Sequence, residues 1–147
     1  MYEKILVATD GSPLSLKAVT NAIDLAVSLG AHLVALKVVP SYPQTYFEGG
    51  LALQAPEIGL VEEQWAKDSQ AIVEEVKTLA EAKGVITTAV IMKSDVVSDA
   101  IIATAQKYAC DLIVMASHGR KGVQRLLLGS ETQQVLTHSH TPVLVLR

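Results

Sequence analysis

Five apolar runs of strand length alternate along the chain with segments of helical periodicity. The runs are KILVAT, HLVALKVV, VITTAVIM, CDLIVMA and TPVLVLR, at positions 4–9, 32–39, 85–92, 110–116 and 141–147. The first run does not alternate between apolar and polar residues, as expected for a strand that is covered on both faces. Strands that alternate with helices predict a parallel sheet with helices on both faces.

The connections between these elements predict one doubly wound α/β domain over residues 1–147. Because crossovers between parallel strands are right-handed, few topologies are possible, and we expect a five-stranded parallel sheet of order 3-2-1-4-5. This order reverses between strands 1 and 4, where a crevice for ligands opens beyond the carboxyl ends of the strands. The tips of these two strands are ATDGS (8–12) and MASHG (115–119).

Two of the four predicted helices carry recognisable start or stop signals. Ser12 is the expected N-cap of the first helix, Pro13 its first residue and Gly30 its C-terminal cap. In the last helix, Ser130 is followed three residues later by Gln133. This spacing is that of a capping box and predicts Ser130 as the N-cap.

The bounds of the remaining elements follow mainly from periodicity. Residues 41–59 contain several prolines and glycines and are expected to form a long loop. A long helix is expected over 61–83, a third helix over 95–109 with Ser94 or Asp95 near its cap, and the last over 130–139.

Composition excludes several classes of protein. The 147 residues are 50% hydrophobic and 18% charged, which is typical of a globular chain. The net charge of −3 argues against a nucleic-acid-binding protein. No apolar stretch predicts a membrane span, the N-terminus does not resemble a signal peptide, and Cys110 cannot form an internal disulfide. Together these features predict a cytoplasmic protein.

Two glycines flank the segment that crosses between the tip of strand 4 and the last helix. Gly119 follows the strand tip, where the backbone must turn sharply or approach a ligand closely. Gly129 and Ser130 start a helix, whose first amides lack intrahelical partners and favour phosphate. The simpler alternative is that Gly119 is a turn residue and Ser130 only a cap.

The spacing of this segment resembles the nucleotide-binding motif of the universal stress protein family. That motif has glycine, two residues, glycine, nine residues, glycine, and then serine or threonine. This chain has Ala116, two residues, Gly119, nine residues, Gly129 and Ser130. KILVATDGS at the start and TPVLVLR at the end also resemble the termini of the family, so that the resemblance covers almost the whole chain.

The resemblance implies an adenine-nucleotide site at the crevice. Phosphate contacts are implied for the backbone amides of Gly119, Gly129, Ser130 and Glu131 and for the Ser130 hydroxyl. For the adenosine end, the resemblance implies Asp10 with Ala8 and Thr9 beside it, the backbone of Val38 at the base, and Met115 and Ala116 beneath the ribose. His118 also belongs to the expected nucleotide site. It could be a general acid or base, or simply a surface histidine in a loop.

The chain departs from the motif at two positions. Ala116 replaces the first glycine, which would cost about 1 kcal/mol if this residue had a positive φ and little otherwise. Asp95 stands where the family usually has glycine before the third helix. A carboxylate there could repel phosphate or could help to hold a metal ion.

The expected function is binding of ATP, ADP or AMP, possibly with Mg²⁺, in a stress response that works through nucleotide-dependent conformation or partner binding. A slow ATPase or phosphoester hydrolase is one alternative, and a scaffold that needs no nucleotide is another. The sequence has no G-x-x-x-x-G-K-[ST] and no G-x-G-x-x-G motif. It predicts no metal site, because His138 and His140 lack an evident third ligand.

The last strand predicts that the protein associates with itself. Val143, Leu144, Val145 and Leu146 form an apolar run that stands at the sheet edge in the expected topology. An apolar edge promotes aggregation unless it is covered or paired. We therefore expect a homodimer through this strand, which the family resemblance also implies.

Overall fold

The computed structural model describes residues 1–41, 55–119 and 128–147. Its strands are β1 (Lys4–Ala8), β2 (His32–Val39), β3 (Thr87–Lys93), β4 (Leu112–Ala116) and β5 (Val143–Leu146). Its helices are α1 (Pro13–Leu29), α2 (Ala55–Ala82), α3 (Val97–Lys107) and α4 (Ser130–His138).

The five strands form one parallel sheet of order β3-β2-β1-β4-β5. The predicted α/β class and strand order are therefore confirmed. Helices α1 and α2 pack on one face and α3 and α4 on the other, because each pair shares a separate cluster of buried side chains with the sheet. Successive side chains along β1 divide between the two clusters: Ile5 and Val7 face α1 and α2, and Leu6 faces α3 and α4.

Helix α1 has the predicted ends. The Ser12 side chain accepts a hydrogen bond from the Ser15 amide, and Pro13 follows as the first helical residue. Gly30 closes the helix in the left-handed conformation, with φ of 65°, and its N–H donates to carbonyl groups of the last turn. Glycine is favoured there because other side chains are strained at positive φ.

Helix α2 begins at Ala55, so the predicted start at Val61 and the predicted loop over 55–59 are wrong. Pro56 lies in the first turn, where the missing N–H costs no intrahelical bond, and Gly59 lies inside the helix. The rest of the predicted loop, 42–54, lies outside the described residues. Helix α3 has Val96 as its N-cap and no side-chain cap bond, and Ser94 and Asp95, which were expected near the cap, directly precede it.

The edge strand β5 pairs with β4 through alternate residues. The Ile113 amide donates to the Pro142 carbonyl, and the Ser117 amide donates to the Leu146 carbonyl. Since the backbone polar groups of successive residues in a strand point to opposite sides, those of Val143 and Val145 face away from β4. The sheet order places this side of β5 at the edge of the sheet.

Cys110 is buried just before β4. Burial raises the pKa of its thiol to about 11, so that the unreactive thiol form dominates at neutral pH. No described helix combines the length and the low charge that crossing a membrane requires.

Candidate functional site

A cavity of about 770 Å³ opens at the carboxyl ends of β1, β2 and β4, where the strand order reverses. The structure brings all the residues predicted for the nucleotide site into the lining of this one cavity. They are Ala8, Thr9, Asp10, Val38, Met115, Ala116, His118, Gly119, Gly129, Ser130 and Glu131. The location agrees with the rule that open parallel sheets bind ligands at the switch point.

Asp10 holds the turn between β1 and α1. Its Oδ1 accepts a hydrogen bond of 2.9 Å from the Ser12 amide, and Gly11 between them has φ of 79°. The neighbouring Thr9 hydroxyl accepts from the Gly11 amide at 3.2 Å and shares a hydrogen bond with the Ser15 hydroxyl at 3.1 Å. Asp10 is thus a turn residue and also a half-buried part of the cavity wall.

Gly119 lies directly against the Asp10 carboxylate. A Cβ atom at Gly119 would stand 2.9 Å from Asp10 Oδ2, which is closer than side chains approach one another. The φ of Gly119 is not in the left-handed region. A close approach of the backbone was expected at Gly119, and in the structure its neighbour is the Asp10 side chain.

The tip of β4 is attached to the first turn of α4 by three hydrogen bonds. The Gly129 amide donates to the Ser117 carbonyl at 2.7 Å, and the Thr132 hydroxyl donates to the carbonyls of Ala116 and Ser117 at 2.9 and 3.2 Å. A Cβ at Gly129 would meet His118 Cα at 3.2 Å. The absence of a side chain at Gly129 therefore allows the strand tip and the helix to pack closely. Because the Gly129 amide donates to the Ser117 carbonyl, it does not have the phosphate contact that was expected for it.

The N-cap of α4 is Gly129, so the prediction of Ser130 as N-cap is wrong. Gly129 is extended, with φ of −61° and ψ of 158°, and its carbonyl accepts from the Gln133 amide at 3.0 Å. Glycine is tolerated as an N-cap because the backbone carbonyl alone can close the first turn. Ser130 becomes the first helical residue, and its hydroxyl donates to Glu131 Oε2 at 3.1 Å.

The first turn of α4 presents its end to the cavity. Ser130, Glu131 and Thr132 are the first three residues of the helix, and all three line the cavity. Their amides have no intrahelical acceptor, and the helix dipole gives this end a partial positive charge. The arrangement suits a phosphate or another anion.

Neither departure from the family motif obstructs the cavity. Ala109 is the only non-glycine residue with a positive φ in the part of the chain that the structure describes, so Ala116 carries no backbone strain. Asp95 is exposed, and its Oδ1 accepts from the Ser41 amide at 3.1 Å. It is absent from the described cavity lining, so its carboxylate does not face the ligand space as had been considered.

The opposite end of the cavity, at the tip of β2, is apolar. Leu36, Val38, Val97, Ile101 and Met115 line it. The Val38 carbonyl accepts a hydrogen bond of 2.9 Å from the ammonium of Lys37. A flat apolar ring with polar atoms on its edge fits such a wall.

Sequence analysis missed a set of lining residues on the side of α1 and α2. They are Ser15, Lys37, Trp65, Asp68, Ser69 and Ile72. Trp65 and Ile72 have helical spacing that is also typical of core positions, so periodicity could not reveal them. Lys37 was the available signal, because a cation inside a buried strand is rare without a partner or a cavity.

His118 lies between the strand tip and Gly119. It is half-buried, and its Nδ1 shares a hydrogen bond of 3.1 Å with the Ser117 hydroxyl. Among the described residues, no group of three histidine, cysteine or acidic side chains is placed to hold a metal ion.

The fold and the cavity define a doubly wound α/β protein with a ligand crevice at its switch point. The sequence model of the universal stress protein family matches residues 1–147, and the chain belongs to this family. A universal stress protein of Methanocaldococcus jannaschii is 38% identical over 148 residues, which cover 100% of this chain and 83% of that relative.

Solved universal stress proteins share the fold. Universal stress protein UspA from Lactobacillus plantarum has a TM-score of 0.84 and 25% identity, covering 99% of this chain and 98% of that one. A universal stress protein in complex with cAMP has a TM-score of 0.70 and 27% identity, covering 99% and 97%.

Proposed function

We propose that this protein binds an adenine nucleotide in the cavity at the carboxyl ends of β1, β2 and β4, and that it acts through nucleotide-dependent conformation or partner binding. The observation that carries the proposal is the polarity of the cavity. One end is formed by the first turn of α4 and the other by an apolar wall at the tip of β2. A nucleotide has the same two ends, a phosphate and a base.

The phosphate end rests on the amides of α4. Ser130 and Glu131 lie within the first turn and line the cavity, and their N–H groups have no acceptor within the helix. The Ser130 hydroxyl now donates to the Glu131 carboxylate. A phosphate oxygen that replaced this carboxylate would accept the same hydrogen bond.

The adenosine end rests on the walls of the switch point. Val38 and Met115 are buried, with exposures of 8% and 5%, and supply apolar surface to a base and ribose. Asp10 also lines the cavity, at the tip of β1. Its carboxylate is a hydrogen-bond acceptor of the kind that ribose hydroxyls need.

A related protein supports the choice of ligand. The universal stress protein that was solved with cAMP is similar to this chain over nearly its full length. Our proposal includes ATP, ADP and AMP. It also includes Mg²⁺ as the counter-ion of a bound polyphosphate.

The proposal is tested with a pair of charge variants on the same helix. Ser130→Asp places a carboxylate in the first turn of α4, within the cavity lining. Gln134→Asp places the same charge at an exposed position of α4 that the described lining does not include. We expect Ser130→Asp to weaken AMP binding at least tenfold and Gln134→Asp to change it less than twofold.

Calorimetric titration measures both affinities, and released phosphate is followed in parallel with ATP. Equal affinities of the two variants for AMP would show that the phosphate does not bind at the first turn of α4. Turnover of ATP would favour the slow hydrolase, and no binding of any adenine nucleotide would favour the nucleotide-independent scaffold.

A further inference from the structure

The chain leaves β2 along the rim of the cavity, at the end proposed for the base. Strand β2 ends at Val39, and the residues on either side of it, Val38 and Pro40, both line the cavity. Pro40 has no N–H group, so its own amide cannot donate a hydrogen bond that would fix this exit. The position of Pro40 in the cavity wall therefore depends on the bonds of its neighbours in the chain.

Two hydrogen bonds to the turn before α3 hold the residues that flank Pro40. The Ser94 amide donates to the Val39 carbonyl at 3.0 Å, which continues the pairing of β2 with β3. The Ser41 amide donates to Asp95 Oδ1 at 3.1 Å. The second bond lies beyond the paired strands and is accepted by a side chain, so it depends on which residue occupies position 95.

The turn that carries Asp95 is itself attached to the cavity wall. The Val96 amide donates to the Ser94 hydroxyl at 3.1 Å, which closes the turn. Val97 follows as the first residue of α3, packs against the core cluster of α3 and α4, and lines the cavity. Asp95 therefore connects the α3 side of the cavity with the exit of β2, although its own side chain is outside the described lining.

We propose that Asp95 is a positioning residue for the base, which holds the exit of β2 in the conformation that receives the nucleotide. This inference rests on the proposed adenine-nucleotide function and adds to it a residue that does not touch the ligand. A ligand binds to the fraction of molecules that are already in the receptive conformation, so its apparent affinity falls in proportion when that fraction falls. Loss of the bond to Ser41 lowers this fraction.

The test separates the hydrogen bond of Asp95 from its charge. Asp95→Ala removes the acceptor and the charge, whereas Asp95→Asn removes the charge and keeps an oxygen acceptor. Asp99→Ala is the matched control, because Asp99 is an exposed aspartate in the first turn of α3 and lies outside the described cavity lining. The probe is AMP, titrated by calorimetry against all four proteins.

Asp95→Ala should bind AMP about fivefold more weakly than the unmodified protein, the effect of one hydrogen bond. Asp95→Asn and Asp99→Ala should stay within about twofold of it. Charge alone predicts the opposite sign, since removal of a carboxylate lessens the repulsion of an anionic ligand. Weaker binding by the alanine variant and rescue by the asparagine variant therefore identify the hydrogen bond as the cause.

Hydrogen exchange of the Ser41 amide, followed by NMR, supplies a readout that a purely structural role would not move. Because the bond and the ligand favour the same conformation, each should stabilise the other. Saturating AMP should slow the exchange of this amide in the unmodified protein and in Asp95→Asn. In Asp95→Ala the amide should exchange faster, and AMP should not slow it. If Asp95→Ala does not fold, the response of the Ser41 amide to AMP in the unmodified protein decides.

The results that would overturn the inference differ in what else they remove. If AMP binds, the proposed function stands, and the inference fails when Asp95→Ala keeps full affinity, when Asp95→Asn does not restore it, or when the Ser41 amide does not respond to AMP. If AMP does not bind to the unmodified protein, the proposed function and this inference fall together.

Discussion

The Glu131 carboxylate lies where the proposed phosphate has to bind, and removing its charge should strengthen nucleotide binding. Glu131 is the second residue of α4, lines the cavity and accepts a hydrogen bond from the Ser130 hydroxyl. The change Glu131→Gln keeps the length of the side chain and removes one negative charge. It also leaves Ser130 with a weaker acceptor, so that its hydroxyl turns more readily to a phosphate.

The expected gain follows from the exposure of this side chain. Glu131 is exposed, so the repulsion acts through solvent, where two unit charges about 5 Å apart interact by roughly 0.8 kcal/mol. Salt screens part of this, and a phosphate carries up to two charges. The net effect is about 0.5–1 kcal/mol, which corresponds to a two- to fivefold lower dissociation constant for AMP.

The same substitution should weaken the free protein. A carboxylate in the first turn of a helix is stabilised by the helix dipole, by about 0.3–1 kcal/mol. Glu131→Gln should therefore lower the melting temperature of the ligand-free protein by roughly 1–4 °C. Tighter binding with lower stability distinguishes this mechanism from a general improvement in folding.

Calorimetry at about 50 and 500 mM salt, with thermal unfolding of the free protein, measures both effects. Glu75→Gln is the control, since Glu75 is an exposed glutamate of α2 outside the described cavity lining. The gain at Glu131 should shrink at high salt. Unchanged or weaker AMP binding at low salt would refute the placement of phosphate at the first turn of α4.

Two further predictions concern β5 and the motif. We propose that two copies pair through the outer edge of β5. Val145→Pro removes an N–H that faces away from β4, so light scattering should show a dimer for the unmodified protein and monomer or precipitate for the variant. A monomeric unmodified protein at micromolar concentration would contradict this. Ala116→Gly should lower stability by about 0.5–1 kcal/mol, because glycine is disfavoured within a strand, and should leave AMP affinity within twofold. A larger loss of affinity in titration would mean that the Ala116 methyl group contacts nucleotide.

The strand order and the location of the cavity could be predicted because they depend on strong local signals. β2 occupies the predicted residues, His32–Val39, since its apolar run is bounded by Gly30 and Pro40. The residues of the two strand tips meet because parallel strands end at the same edge of a sheet. The strand order alone therefore places the two strand tips beside each other.

Other features depend on contacts that a sequence does not display. Ser130 has the residue type of an N-cap, yet Gly129 is the N-cap in the structure. The Gly129 amide donates a hydrogen bond to the Ser117 carbonyl, a contact between distant residues that the sequence does not display. The start of α2 was misplaced because Pro56 and Gly59 read as loop residues, although a first-turn proline is compatible with a helix. Ser69 was missed because only the fold brings it into the same cavity lining as Lys37.

The attachment of α4 to the tip of β4 also separates two evolutionary constraints. The bonds from Gly129 and Thr132 to Ala116 and Ser117 fix both ends of the connection that runs from residue 119 to residue 128. Because these bonds hold the helix end directly against the strand tip, the residues of the connection are not needed to position it. Their composition and charge can therefore change without moving the first turn of α4.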